Sequence, residues 1–285
     1  MKKSTKILLI TAFSLIFAGA ILTIIGIFNG GTATLVWDKK HHKVIPVSDM
    51  EKYVCEKTKI DSFTDVDIDA DSADVTFIPS DDFYMEYCVY SYTEVNPVKV
   101  ESDRLVIGDY NSKFIINFDL FSDNTFEDSY IRIYYPAETD FKSLDVDISM
   151  GDFDISECNF EKVKVDMDMG DFTVNDCYFG SKDVDLGMGS LKGDNCYLGD
   201  VKLNLDMGSA DLNNVTVSYM DANLDMGDAD IRLLPNEDKT YGYALDVDMG
   251  EISVNGQSNS KEYKSSGDIS IKINCDMGSI KISEK

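Results

Sequence analysis

The residues with chemical potential in this chain are carboxylates at a fixed period. Asp147, Asp166 and Asp185 follow one another at 19-residue intervals. Asp168, Asp206, Asp225, Asp248 and Asp276 each sit immediately before a Met-Gly pair, and Asp152, Asp171, Asp228 and Glu251 follow the Gly. Acids that recur identically along a chain are unlike an active site, which needs one unique constellation in a pocket. They suit a solvated face or weak divalent-cation binding. A tight calcium site takes about six to eight oxygens, and no single repeat offers them. The candidate cation ligands are therefore Asp147, Asp166, Asp168, Asp185, Asp206 and Asp225, with calcium held weakly, no dedicated cofactor and no catalytic residue. The only two His, His41 and His42, are adjacent, which excludes a His-based triad or a multi-His metal site.

Sulfur supplies the other candidates. Met precedes Gly at Met150, Met169, Met188, Met207, Met226, Met249 and Met277. Stacked thioethers are soft ligands that suit copper. The alternation of the flanking residues, however, assigns this column to the interior, where Met is a common filler. Cys158, Cys177 and Cys196 share the 19-residue period and read as buried free thiols packing as small hydrophobes. Zinc and disulfide readings stand beside that one, since neighbours in such a column lie near a bridgeable separation. Cys275 falls in an inward column, and a Cys55–Cys88 bridge is conceivable.

The elements that must position these groups follow from the repeat. The steps between successive Met-Gly pairs are 19, 19, 19, 19, 23 and 28 residues. Periods of this size mark stacked coils, each burying its apolar face against its neighbours. One column reads Val146, Val165, Val184, Leu203 and Ala222, and the next reads Ile148, Met167, Leu186, Leu205 and Leu224. Between them stand Asp147, Asp166, Asp185, Asn204 and Asn223, so each repeat opens with a β-strand. After a bend at Gly come Phe153, Phe172, Leu191, Ala210 and Ala229, then a third short strand through the Cys column and Phe160, Phe179, Leu198 and Val217. The fold class is all-β, a parallel β-solenoid with three short strands per coil. The two longer steps read as loops around Pro235–Tyr243 and Asn255–Ser266. At the residue closing each repeat, Lys164, Asp183, Lys202 and Asp221 alternate in sign, which pairs opposite charges between coils.

Outside the repeat, 22 uncharged residues from Ile7 to Phe28 follow Lys2, Lys3 and Lys6. A helix of that length reaches about 33 Å and crosses a bilayer core of about 30 Å. The expected organisation is a cytoplasmic N-terminus at 1–6, a transmembrane anchor at 7–28, a tether at 29–60, degenerate coils or a cap at 61–135, and regular coils at 136–285. Residues 44–285 carry 20 Lys+Arg against 51 Asp+Glu, a net of −31. That charge repels a polyphosphate, which excludes nucleic acid as a partner, and it disfavours an anionic cytoplasmic leaflet. The body is expected on the extracytoplasmic side of the cell membrane.

With the repeats laid out, the chain resembles the bacterial putative-adhesin family of β-strand-repeat proteins, a domain family without assigned activity. Ile131-Arg132-Ile133-Tyr134-Tyr135-Pro136 and Leu144 to Ile155 carry the resemblance, as do the turns Met169-Gly170-Asp171-Phe172 and Met249-Gly250-Glu251-Ile252. The resemblance implies an anchored or exported surface protein with an envelope partner, an adhesion or envelope-stress role, and no catalytic residues. Two further functions compete with it: a carbohydrate-active β-helix enzyme, which would group Asp with Lys or Arg in one groove, and a rod stabilised by cations.

Overall fold

The computed structural model describes residues 49–108, 129–137, 139–236, 238–259 and 261–284, together with 19, 22, 34–38, 42–45 and 113–117. Of the expected membrane segment only Gly19 and Leu22 are among them, so that expectation lies outside the described residues. Among the described residues no helix is long and apolar enough to cross a membrane.

The chain divides into two units. The smaller, residues 1–50 with 113–125, holds a three-stranded antiparallel sheet in which Thr34–Asp38 pairs on one side with Lys43–Ile45 and on the other with Lys113–Asn117. The larger unit, residues 51–112 with 126–285, is built from two sheets of 12 and 11 strands. Residues 29–60, expected as a tether, thus contain Thr34–Asp38, Lys43–Ile45 and the strand Glu51–Lys59.

Each regular coil has a long strand in one sheet and a short strand in the other. Asn159–Met169 runs parallel to Tyr178–Met188, and Phe172–Asn175 parallel to Leu191–Asp194. The expected third strand is not separate. In two coils its residues open the next long strand, and the corner shows as a break in alternation, with Glu161 and Lys162 both exposed between buried Phe160 and Val163. In the following two, Tyr197 and Thr216 form only isolated bridges ahead of Asp200–Met207 and Tyr219–Met226. The turn before Cys158, Cys177, Cys196 and their successor Val215 is made by Glu157, Asp176, Asn195 and Asn214, whose φ values of 53–55° are left-handed. The short side chains of Asn and Asp tolerate that conformation better than most, and Glu157 is the exception among the four.

Stacking is in register and close. Val146, Val165, Val184 and Leu203 lie directly over one another, as do Ile148, Met167, Leu186 and Leu205. All eight are buried, and the aromatic columns stack as well, with Phe141–Phe160 centroids 4.6 Å apart and Phe153–Phe172 5.2 Å apart. At each Met-Gly bend the backbones nearly touch. Gly208 has φ +158°, and a Cβ there would overlap the Gly189 carbonyl oxygen. Glycine is required at that point by both conformation and space.

Coil order does not follow sequence order at either end. Ile269–Met277 inserts between Tyr219–Met226 and Tyr241–Met249, parallel to both. At the other end, Asp65–Ala70 lies between Asp140–Met150 and Arg104–Ile107. Each sheet therefore contains nine consecutive parallel strands, one from each of nine coils. Antiparallel strands close the edges: Val98–Glu101, Tyr84–Ser91 and Glu51–Lys59 at one end, Gln257–Asn259 and Glu262–Lys264 at the other. The second expected loop is thus partly strand, and Asn255-Gly256 forms its two-residue hairpin turn. Burying the last coil between two others leaves short, hairpin-covered edges, which guards against edge-to-edge pairing.

Candidate functional site

The period-2 alternation that buries Val165 and Met167 turns Asp166 and Asp168 outward. Register then stacks the acids. One row runs Asp69, Asp147, Asp166, Asp185, Asn204, Asn223, Asn274 and Asp246. Asp147, Asp166, Asp168, Asp185, Asp206 and Asp225 are all exposed. Burial, then the Asp69, Asp166 and Asp168 charges, pushes the Asp147 carboxyl above its usual range. Asp185 is raised by burial and then by Asp166 and Asp206. The Asn half of the row is a hydrogen-bonded ladder: Asn223 Nδ2 donates to Asn204 Oδ1 at 3.2 Å, and Asn274 Nδ2 to Asn223 Oδ1 at 3.1 Å. In this row the adjacent like charges are therefore confined to the Asp69–Asp185 half. Among the described residues no cluster of His, Cys, Asp or Glu has the geometry of a metal centre.

A neighbouring row relieves part of the strain. Asp145, Lys164, Asp183, Lys202, Asp221 and Lys272 alternate across six coils, with Lys164 Nζ 3.7 Å from Asp145 Oδ1. The acids after Gly have another task. Asp152 Oδ1 accepts from the Asp171 N–H at 2.8 Å, Asp171 Oδ1 from the Ser190 N–H at 2.8 Å, and Asp228 Oδ1 from the Ser279 N–H at 2.8 Å. These carboxylates bind one coil to the next.

The Met column is not interior. Met150, Met188, Met207, Met226, Met249 and Met277 are exposed, Met207 at 43 %, and Met169 is half-buried. Each is the last residue before the Gly bend, so the chain leaves the strand before alternation can carry the side chain inward. Core filling describes Met167 and Met220, which are buried, and not this column. Cys158, Cys177, Cys196 and Cys275 are buried free thiols. Cys55 and Cys88 are also free, and they occupy neighbouring antiparallel strands one residue out of register, where Val54 faces Cys88 and Cys55 faces Tyr87. Successive residues point to opposite faces, so the two thiols do not meet.

Lys182 is the residue that sequence reasoning passed over. It stands in the inward column between Val163 and Val201, is 5 % exposed, and donates from Nζ to the Leu198 carbonyl at 2.5 Å. Burial holds its ammonium group well below the usual lysine range. The signal was available, because Leu144, Val163, Val201 and Met220 share its place in the repeat. An unfolded lysine takes up a proton below pH of about 10.4. The folded state does so only at its lowered value, so native stability falls as pH drops from about 10.4 toward that value. Lys182→Met is expected to stabilise the fold by about 1–2 kcal/mol at pH 7, removal of the buried amine being partly offset by the unpaired Leu198 carbonyl. The advantage should shrink toward pH 10. Urea titrations at pH 7 and 10 check this, and a less stable variant at pH 7 would contradict it.

One concave feature breaks the repeat. A cleft of about 540 Å³ near the N-terminal end of the 12-stranded sheet is lined by Lys52, Asp74, Tyr130, Arg132, Asp152 and Asp154. Non-sequential strands make it: Asp74–Ser80 sits between Tyr130–Pro136 and Phe153–Ser156. Asp74 Oδ1 accepts from the Asp152 N–H at 2.9 Å, and Asp152 in turn holds Asp171. Burial raises the Asp154 carboxyl above its usual range, against a hydrogen bond to Thr173. Arg132 Nη1 donates to Glu86 Oε1 at 3.1 Å and its guanidinium stacks 4.2 Å over the Tyr130 ring.

No curated protein matches the chain. Solved structures that the chain matches include one described as a putative adhesin from Bacteroides fragilis, 14 % identical over 82 % of this chain and 96 % of that one, with a TM-score of 0.46. Another, described as a putative cell adhesion protein from Clostridium sporogenes, is 15 % identical over 83 % and 99 %, with a TM-score of 0.34. A third, described as a putative lipid binding protein from Parabacteroides distasonis, is 12 % identical over 83 % and 96 %, with a TM-score of 0.38. The sequence profile of the Toastrack DUF4097 family matches residues 63–285, the whole run of stacked coils, and the chain belongs to that family.

Proposed function

We propose that this chain is a non-enzymatic surface protein that displays its acidic coil face to cationic groups at the cell envelope, anchored by residues 7–28 with the body outside. The observation that carries the reading is the in-register row Asp69–Asp147–Asp166–Asp185, with Asp147 and Asp185 raised by burial and by their neighbours. Two unit charges one coil apart repel by about 1 kcal/mol in a water-like dielectric. A cation or a cationic peptide lying along the row relieves several such repulsions at once. Association of an oligolysine peptide tests it. Binding should be measurable at low salt, fall steeply with added sodium chloride, and weaken severalfold in the Asp147→Asn/Asp166→Asn/Asp185→Asn chain. Equal binding by that variant would remove the row from the account. Placement is tested by protease added to wall-stripped cells, which should remove the body; full protection would contradict it.

A second reading, a carbohydrate-active site, is favoured by the cleft, where Asp74, Asp152 and Asp154 share one groove with Arg132 and Lys52. Two of those acids bind backbone N–H groups of adjacent coils and the third bonds Thr173. Glycoside hydrolysis needs one protonated and one ionised carboxyl flanking the substrate, so the display reading is preferred. Release of reducing ends from envelope polysaccharide, abolished by Asp154→Asn, would reverse that order.

A further inference from the structure

The column Cys158, Cys177, Cys196 lies at the corner that follows the left-handed turn residues Glu157, Asp176 and Asn195. Backbone hydrogen bonds hold the corners in register: the Tyr178 N–H donates to the Cys158 carbonyl at 2.9 Å, and the Tyr197 N–H to the Cys177 carbonyl at 2.9 Å. Neighbouring parallel strands lie about 4.8 Å apart, inside the Cα separation of about 4.4–6.8 Å that a disulfide spans. The side chains of the first two rungs converge too. Cys158 Sγ and Cys177 Sγ are 3.1 Å apart, and Cys196 stands one coil further on, beside the parallel Tyr178–Tyr197 bridge, with its thiol donating to the Asp194 carbonyl at 3.1 Å. The fourth rung is Val215, so the ladder ends there. A pair of thiols in contact, with a third one coil further along the same column, is more than apolar packing requires.

We propose that these residues are a disulfide-forming site in which Cys177 bonds either Cys158 or Cys196 and the remaining thiol stays reduced. The oxidant is a small-molecule or protein disulfide. Its S–S bond breaks as the Cys158–Cys177 bond forms, two electrons pass to it, and its two sulfurs leave as thiols carrying the two protons. Thiolate is the attacking species in such exchange. In the folded stack the neighbouring thiols and burial hold Cys177 and Cys196 above the usual thiol range. Closure therefore belongs to folding, before the corner is sealed, and the finished bond is shielded from reductants. The consequence is covalent locking of adjacent coils in the middle of the stack.

The test is refolding of the full chain from denaturant in a glutathione redox buffer, followed by alkylation of the denatured product and peptide mapping. The expected product has a Cys158–Cys177 or Cys177–Cys196 cross-link, one alkylated ladder thiol, and a melting temperature about 5–10 °C above that of the reduced chain. Cys196→Ser should keep the Cys158–Cys177 cross-link, and Cys177→Ser should leave Cys158 and Cys196 both alkylated. Three alkylated ladder thiols in the wild-type chain, or a Cys158–Cys196 bond in Cys177→Ser, would overturn the proposal. So would an oxidised product that melts below the reduced one.

Discussion

Leu205→Asp is expected to unfold the coil stack, whereas Asp206→Asn should leave its stability within about 0.5 kcal/mol of wild type. The two residues are adjacent, and only their facing differs. Leu205 is buried between Leu186 and Leu224 in the rows above and below it, and Asp206 is exposed. A carboxylate at the first position would have no cation or donor within the apolar column, a cost of several kcal/mol that exceeds most of a domain's net stability. Circular dichroism with urea titration distinguishes the outcomes. Equal sensitivity at the two positions would overturn the facing of the strands.

Gly208→Ala should be the second most damaging change, at about 2–4 kcal/mol, because strain and collision act together. The added methyl group meets the Gly189 carbonyl oxygen, and φ at +158° is a conformation that side-chain-bearing residues rarely adopt. Neither coil can move away without breaking the Gly189 N–H to Met207 bond of 3.0 Å or the Gly208 N–H to Met226 bond of 3.0 Å. Gly256→Ala is the control, since φ there is +76° and no atom lies within 4 Å of the new Cβ. Its cost should stay near 1–2 kcal/mol, roughly the left-handed penalty alone. Similar losses at both sites would show that backbone conformation alone, and not close coil approach, makes glycine necessary at the bend.

The columns of Val146, Ile148 and Phe153 were legible in the sequence because a 19-residue period puts equivalent residues one above another, and period-2 alternation then sorts inside from outside. The same rule misplaced the Met column, since alternation was carried one residue too far into the bend. Lys182 was hidden by its neighbour Asp183, which belongs to the alternating charge row and drew the attention of the repeat pattern. Coil order was not legible. Steps of 23 and 28 residues read equally as bulging loops or as a crossover that leaves a vacancy for the last coil. The hairpin at Asn255-Gly256 was legible and passed over, although Asn-Gly between apolar alternating residues is a strong short-range turn signal. The cleft lay beyond sequence reasoning because strands far apart in the chain make its walls, Asp74 and Asp152 meeting across 78 positions.

The account rests on the acidic rows acting as a cation-responsive surface and not merely as a wet one. The direct measurement is thermal melting of the purified chain in calcium chloride against sodium chloride at matched ionic strength. With weak sites of about 10⁻³ M, a few millimolar calcium should raise the melting temperature by about 2–4 °C. Most of that rise should disappear in the Asp147→Asn/Asp166→Asn/Asp185→Asn chain. Identical melting in calcium and in sodium would contradict the account, leaving a solvated face with no cation role.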